Sequence, residues 1–400
     1  MINTLVFTTL YPNSEQPHHG IFVENRLRHL LSTGEVRAQV VAPVPYFPWR
    51  HPRFGSYAAF ARVPGREQRH GITVQHPRFP VIPKLGTSLS PLLLYLAMRR
   101  VAASGALNPG DFDLIDAHYF YPDGVAAALL ARAWGKPLVV TARGTDVNLV
   151  PEYPMARRQI LWAAAQADAV NTVCEALKHR LVELGVDAGK ITVLRNGVDL
   201  EAFRPADRAA ARAKLGLRRT TLVSVGHLIP RKGHDIALRA LARIPEAELL
   251  IAGEGPERSR LEALAVQLGV HERTRLLGRV SHGHLPELYS AADALVLASS
   301  REGWANVLLD SMACGTPVVA SDVWGTGEVV RDAAAGTLVP ERTPEAFAAA
   351  ITRLLAAPPD RRATRAYAER FGWDDTSKGQ LRVFRSVLGR VPAEPAEAVP

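Results

Sequence analysis

Residues 301–322 read REGWANVLLDSMACGTPVVASD. The apolar run ALVLA at residues 294–298 leads into them, with the length and flanks of a strand buried on both faces. Glu302-Gly303-Trp304-Ala305-Asn306 then forms a polar turn. Val307, Leu308 and Met312 follow in a helical pattern that stops at Gly315, where Thr316-Pro317 breaks the helix. Val318-Val319-Ala320 begins another apolar run. The order is strand, turn, helix, strand. The turn therefore lies at the carboxyl end of a strand and the amino end of a helix. Unpaired backbone N–H groups and the helix dipole favour an anion at such a place.

Glu302 and Asp310 are eight positions apart. The pattern puts Glu302 just outside the helix and Asp310 about two turns in. A carboxylate at each side of an anion-binding helix start, which begins with Asn306 and Val307, suits a ligand with a diphosphate between two hydroxyl-bearing rings. The plain alternative is a solvated helix that carries two acids by accident. A second stretch, residues 224–235 (SVGHLIPRKGHD), strengthens the first reading. It leaves a strand at Gly226, where backbone can approach a ligand closely. Arg231 and Lys232 then open a helix over residues 235–242. Two cations at a helix amino end oppose its dipole and cost stability unless an anion sits between them. A solvated pair is the bland alternative. Gly253-Glu254-Gly255-Pro256 and Leu277-Gly278-Arg279-Val280 also follow strands and are compatible with ordinary turn chemistry.

Four hundred residues favour two domains, and 47% hydrophobic with 22% charged content is that of a soluble globular chain. Cys174 and Cys314 are far apart and show no metal-ligand spacing, which argues against a disulfide framework. Residues 1–9 lack the basic segment of a secretory signal, and no run is long enough to span a bilayer, so a reducing cytoplasm is the expected compartment. Charge is uneven. Residues 1–100 hold twelve Lys/Arg against four Glu, a surplus of +8 out of the chain's net +9. Such a surplus suits an anionic partner (a phospholipid surface, a lipid diphosphate or nucleic acid) or simply a solvated Arg-rich face. Residues 46–54 (YFPWRHPRF) and 88–100 (SLSPLLLYLAMRR) could dock on a membrane interface, with core packing as the alternative.

Candidate strands at residues 4–9, 39–44, 114–117, 138–142, 169–173 and 191–194 alternate with helical patterns such as 124–134 and 157–167. A second series runs 221–226, 248–252, 274–277, 294–298, 317–321 and 336–339. Alternating strands and helices indicate α/β architecture with parallel sheets, and ligands at the strands' carboxyl ends. The Asn-Gly and Pro turns of residues 195–205 mark a boundary. We therefore expect two doubly wound, Rossmann-like domains facing a cleft, 1–200 and 201–365. Helices at 366–390 return to the first, and 391–400 form a disordered tail.

Residues 226–322 resemble the retaining family-4 glycosyltransferases of GT-B fold (glycosyl transferases group 1). The resemblance extends over most of the chain. Glu302, seven residues and Asp310 match the family's acid pair, with Asp where Glu is usual. The resemblance implies that Glu302 holds the donor sugar and Asp310, one methylene shorter, the nucleotide ribose. Gly226 with Arg231 and Lys232 matches the element that grips the donor diphosphate. Glu254 and Arg279 fall in turns beside the nucleotide. His118, ending a strand in Asp116-Ala117-His118-Tyr119, matches the family's active-site histidine and would orient the donor sugar or polarise the reacting centre. Asp146, in Thr141-Ala142-Arg143-Gly144-Thr145-Asp146, lies on the same rim. Gly20, a single glycine where the family often has a pair, matches the loop that closes on donor and acceptor.

The implied reaction moves a sugar with retention from a UDP- or GDP-sugar to a glycan or lipid-linked acceptor, in envelope or exopolysaccharide synthesis at the cytoplasmic face. It needs neither metal nor cofactor, and nucleic acid is not expected as a partner. The rival readings are a nucleotide-sugar epimerase of the same architecture and a non-enzymatic protein that binds anionic lipid or nucleic acid.

Overall fold

The computed structural model describes residues 1–81 and 86–390; the tail expected at 391–400 lies outside the described residues. The chain divides into two compact units. One comprises Met1–Arg195 and the residues from Asp374 onward, and the other is Asn196–Trp373.

The first unit is built on an eight-stranded sheet. Its strands lie in the order Ile191–Val193, Ala169–Thr172, Leu138–Ala142, Leu114–His118, Ile2–Phe7, Val36–Val41, Ile72–Gln75 and Arg66–Arg69. All neighbours are parallel except the last pair, which is antiparallel. Leu5, Val6, Phe7, Ile115, Val139 and Val140 are completely buried, as central parallel strands covered on both faces require. Two of the eight strands, Arg66–Arg69 and Ile72–Gln75, were not expected from sequence. The helix Trp373–Val387 lays Leu381 and Phe384 against Ile2, Leu30, Leu114 and Val139, which is why the C-terminal segment belongs to this unit.

The second unit has a six-stranded, wholly parallel sheet. Its order is Thr274–Gly278, Ala247–Ala252, Thr220–Val225, Ala294–Leu297, Val318–Ser321 and Gly336–Val339. Leu249, Ile251 and Val296 pack with Leu238, Leu241, Phe347 and Ile351 of the flanking helices. Residues 196–200 and 366–373, expected outside this unit, fall inside it. Val198 N–H donates to Phe371 O at 2.9 Å, and a Cβ on Gly197 would lie 2.8 Å from the Gly372 carbonyl carbon, so the unit's first and last residues lie side by side. The Arg365 guanidinium binds the carbonyls of Leu200, Phe203 and Ala313.

Counted along the chain, with the antiparallel edge strand Arg66–Arg69 set aside, both sheets read 3-2-1-4-5-6, and the first adds a seventh strand at one edge. The order reverses beside the first strand of each sheet, and the crevice beyond the carboxyl ends there is where doubly wound sheets bind ligands. In the first unit this switch point lies beside His118, and in the second it lies between Gly226 and Ala298.

Candidate active site

In the second unit, the strand Thr220–Val225 runs into a loop at Gly226, then a short turn Pro230–Lys232, Gly233 and the helix His234–Leu241. Arg231 and Lys232 thus precede the helix, whose first residue is His234, rather than opening it. Gly233 explains the difference. Its φ is +69°, and a Cβ there would stand 2.0 Å from the Ala298 carbonyl oxygen. Only glycine lets the turn close this tightly on the neighbouring strand end. Ser300 N–H fastens the contact by donating to Arg231 O at 2.8 Å.

The closure brings the cations onto the turn that carries Glu302. Lys232 Nζ donates to Glu302 Oε1 at 2.6 Å, and an Arg231 guanidinium nitrogen is 3.6 Å from Oε2 and donates to Arg301 O at 2.8 Å. Burial would push the Glu302 carboxyl up, but the charge and hydrogen bond of Lys232, with the charge of Arg231, outweigh it and hold the group below its ordinary value. The anion beside the two adjacent cations is the protein's own carboxylate. The stem of Lys232 crosses Gly226, whose Cβ would be 3.5 Å from the lysine methylenes.

Asn306 and Val307 form the first turn of the helix Asn306–Ala313, and Asn306 Oδ1 accepts from Asn196 Nδ2 at 3.3 Å. Asp310 lies one turn into this helix rather than two. Burial first, and the charge of Asp199 second, push its carboxyl well above the ordinary range, which favours a protonated group able to donate to a hydroxyl. Glu254 and Arg279 pair with each other at 2.8 Å, both half-exposed. His234 fixes the loop from within. Its Nε2 is 3.3 Å from His227 O, which can only accept, and its Nδ1 is 2.9 Å from Ser224 Oγ. Burial lowers its pKa to about 4.

The first unit gathers His118, Arg143, Asp116 and Asp146 at its switch point. An Arg143 guanidinium nitrogen is 2.7 Å from His118 Nδ1. Arginine can only donate, so Nδ1 accepts and the ring proton is on Nε2, 3.4 Å from Asp116 Oδ2. Burial, with the charges of Arg143 and Arg26 adding to it and Asp116 opposing, brings the His118 pKa down to about 4. Asp146 is completely buried, and its two oxygens accept from the backbone N–H groups of Phe120, Arg143 and Gly144 at 2.7–3.2 Å. That geometry makes it the brace of two strand-end loops. Gly20, at φ +67°, would set a Cβ 2.2 Å from Leu10 O, so the start of the helix Ile21–Ser32 also needs glycine.

Asp116, Arg143, Gly233 and His234 are the residues that sequence reading did not single out. The first two stand inside the stretches around His118 and Asp146, but nothing in one dimension says that they meet. Residues 46–54 are not core. Tyr46, Trp49 and Tyr57 are more than half exposed, and Phe47 and Trp49 pack against Phe54 at the surface.

Two Rossmann-like units, with a cation–carboxylate turn at the switch point of the second, define the GT-B class. The family model described as "Glycosyl transferases group 1" matches residues 207–371, and that described as "Glycosyltransferase Family 4" matches residues 54–202. The chain belongs to this family of GT-B glycosyltransferases. It is 38% identical over 295 residues to the D-inositol 3-phosphate glycosyltransferase of Mycolicibacterium gilvum, covering 68% of this chain and 66% of that one. It is 36% identical over 317 residues to the protein of the same name from Mycobacterium bovis, covering 73% and 65%. The chain thus spans a little under two thirds of these relatives' length. Among solved structures, the sucrose-phosphate synthase of Thermosynechococcus elongatus superposes with a TM-score of 0.81 at 22% identity, covering 97% of this chain and 99% of that one. HepE of Anabaena, solved in complex with UDP, gives 0.75 at 21% identity, covering 96% and 100%.

Proposed function

We propose that the protein transfers a sugar, with retention of anomeric configuration, from a UDP- or GDP-sugar to a glycan or lipid-linked acceptor without a metal ion. The observation that carries this reading is the convergence of Arg231, Lys232 and Glu302 at the switch point of the second unit's sheet. The donor's diphosphate takes the two cations and the N–H groups of the helix at Asn306 and Val307, which offset the charge that develops on the leaving nucleotide. Glu302, released from Lys232, accepts from hydroxyls of the donor sugar, and Asp310 faces the ribose. The departing phosphate helps to deprotonate the acceptor hydroxyl on the same face, and His118 supplies a neutral donor to the sugar. The basic first quarter suits an anionic acceptor, and the inositol 3-phosphate in the relatives' names is one such class.

A thermal-shift panel of UDP-, GDP- and ADP-sugars tests the reading, because a ligand that binds only the native state raises its stability by about 2.7 kcal/mol at a hundred times its Kd. One nucleotide class should raise Tm, and adding an acceptor should release the nucleoside diphosphate. Conversion of the sugar nucleotide without an acceptor would favour an epimerase, and no shift with any donor would end the reading.

One surface supports membrane association. Leu89, Leu92 and Leu96 of the helix Gly86–Ala103 are each 44–45% exposed on one stripe, and the exposed Arg99 and Arg100 follow them. Among the described residues no helix is long and apolar enough to cross a membrane. Lying in the interface is the arrangement that the stripe suits. Salt-sensitive flotation with anionic vesicles, lost in Leu92→Glu, is the expected result.

A further inference from the structure

Gln380 has no part in the chemistry above. It is 1% exposed in the helix Trp373–Val387, on the sheet face that carries Leu114 and Asp116. Its Oε1 accepts from Arg26 Nε at 2.6 Å, and its Nε2 donates to Asp116 Oδ2 at 2.9 Å. The amide has only one workable orientation, because Arg26 can only donate and an ionised Asp116 can only accept. Glutamate here would set carboxylate against carboxylate, and lysine cation against cation. Arg26 is itself anchored by donating to Leu194 O at 2.9 Å. Arg26, Gln380, Asp116, His118 and Arg143 thus form one buried line of polar groups.

The oxygen that accepts from Gln380 is the one that faces His118. At 3.4 Å from Nε2, Asp116 Oδ2 makes only a long, weak hydrogen bond to the ring, whose pull on the His118 pKa burial outweighs. Its other oxygen, Oδ1, is buried without a hydrogen-bond partner. A carboxylate in full hydrogen bond with an imidazole stabilises the imidazolium and raises its pKa. Here the carboxylate is turned toward the amide instead.

We propose that Gln380 is a positioning residue of this site, holding Asp116 short of a full hydrogen bond with His118 so that Nε2–H stays a neutral donor. The proposal rests on reading His118 as part of the donor site. The charged groups facing the ring are Asp116 on its own strand, Arg143 on the loop after the next strand and Arg26 on the helix Ile21–Ser32. Once Gln380 no longer competes, Asp116 closes on Nε2–H and the cationic ring gains a partner.

The test is a proton titration of the full chain carrying ¹³C-labelled histidine, with the His118 signal assigned by its loss in His118→Gln. In wild type the ring should titrate near 4. In Gln380→Met, of similar length but apolar, the midpoint should rise by about one pH unit or more, and the acidic limb of kcat/KM should move up with it. Gln380→Asn keeps the amide but is too short to bridge both partners. It should shift the midpoint in the same direction and serves if the methionine variant does not fold. In an Asp116→Asn background, Gln380→Met should move nothing. An unchanged His118 midpoint in either folded single variant overturns the proposal, whatever happens to Tm. The titration needs no substrate. A raised midpoint in a protein that transfers no sugar would keep the positioning role and defeat only the functional reading.

Discussion

In the second unit the switch point is charged, and the partly exposed Lys232 and Arg231 meet the buried Glu302 carboxylate. In the first it is buried and its histidine neutral, its charges spaced along a line of polar groups from Arg26 to Arg143. The sheets share one strand order, so the fold does not set this difference. Under the proposed function, a crevice that grips a leaving diphosphate needs accessible charge. One that orients hydroxyls needs fixed polarity, and burial provides that by making every unpaired atom costly.

The largest effect should come from Lys232→Met. Glu302 would then be left buried with the more distant Arg231 as its cationic partner and Ser299 as a neutral donor. We expect a loss of about 3–5 kcal/mol at neutral pH by urea unfolding, and a fall of about 10²- to 10³-fold in sugar transfer. A milder stability loss would show that the pair is solvated like a surface bridge, and the contrast between the units would weaken.

The glycines Gly233 and Gly20 test whether both sites depend on the same device. Each has a left-handed backbone and a neighbouring carbonyl where a Cβ would go. Alanine at either should cost about 2–4 kcal/mol. Gly233→Ala should also lower donor affinity by displacing Lys232, which nucleotide titration would show.

pH separates the buried groups by sign. His234 is neutral down to about 4 when folded and takes up a proton near 6.5 when unfolded. The stability of wild type relative to His234→Gln should therefore fall as pH drops from 6.5 to 4, by about 1.4 kcal/mol per pH unit. Asp123 should do the reverse. Burial raises its carboxyl to about 7 against hydrogen bonds from Thr8 and Thr9, so the folded state keeps a proton that the unfolded state loses near 3.8. Wild type relative to Asp123→Asn should lose stability as pH rises from 3.8 to 7. Denaturation series at fixed ionic strength would show both slopes.

The smallest effect belongs to Arg279→Ala. Its bridge to Glu254 is half-exposed on both sides and should contribute under about 1 kcal/mol. A clear loss of donor affinity with unchanged stability would assign the pair to the nucleotide.

The twelve strands read from sequence were legible because each is a short apolar run between turn residues, as buried parallel strands must be. Arg66–Arg69 and Ile72–Gln75 escaped because they form a half-polar edge hairpin. Its signal was the two-residue turn His70-Gly71, both at positive φ. The acid and cation motifs of the second unit were legible because strand end, turn and helix are contiguous in sequence. The helix after Lys232 was placed to within one residue, but Arg231 and Lys232 precede it rather than open it, because Pro230 and Gly233 bound a separate turn that holds them. The partners of His118 were invisible for a different reason. Gln380 meets Asp116 across 264 positions, and no local pattern encodes such a meeting.

The side-by-side entry and exit of the second unit, with Val198 bonded to Phe371 and Gly197 against Gly372, make that unit a cassette. Its two ends can be cut and rejoined to another body without stretching the host chain. Under the proposed function, donor recognition could then be grafted from one protein to another at two adjacent seams, while the strands and helix that hold His118 stay intact.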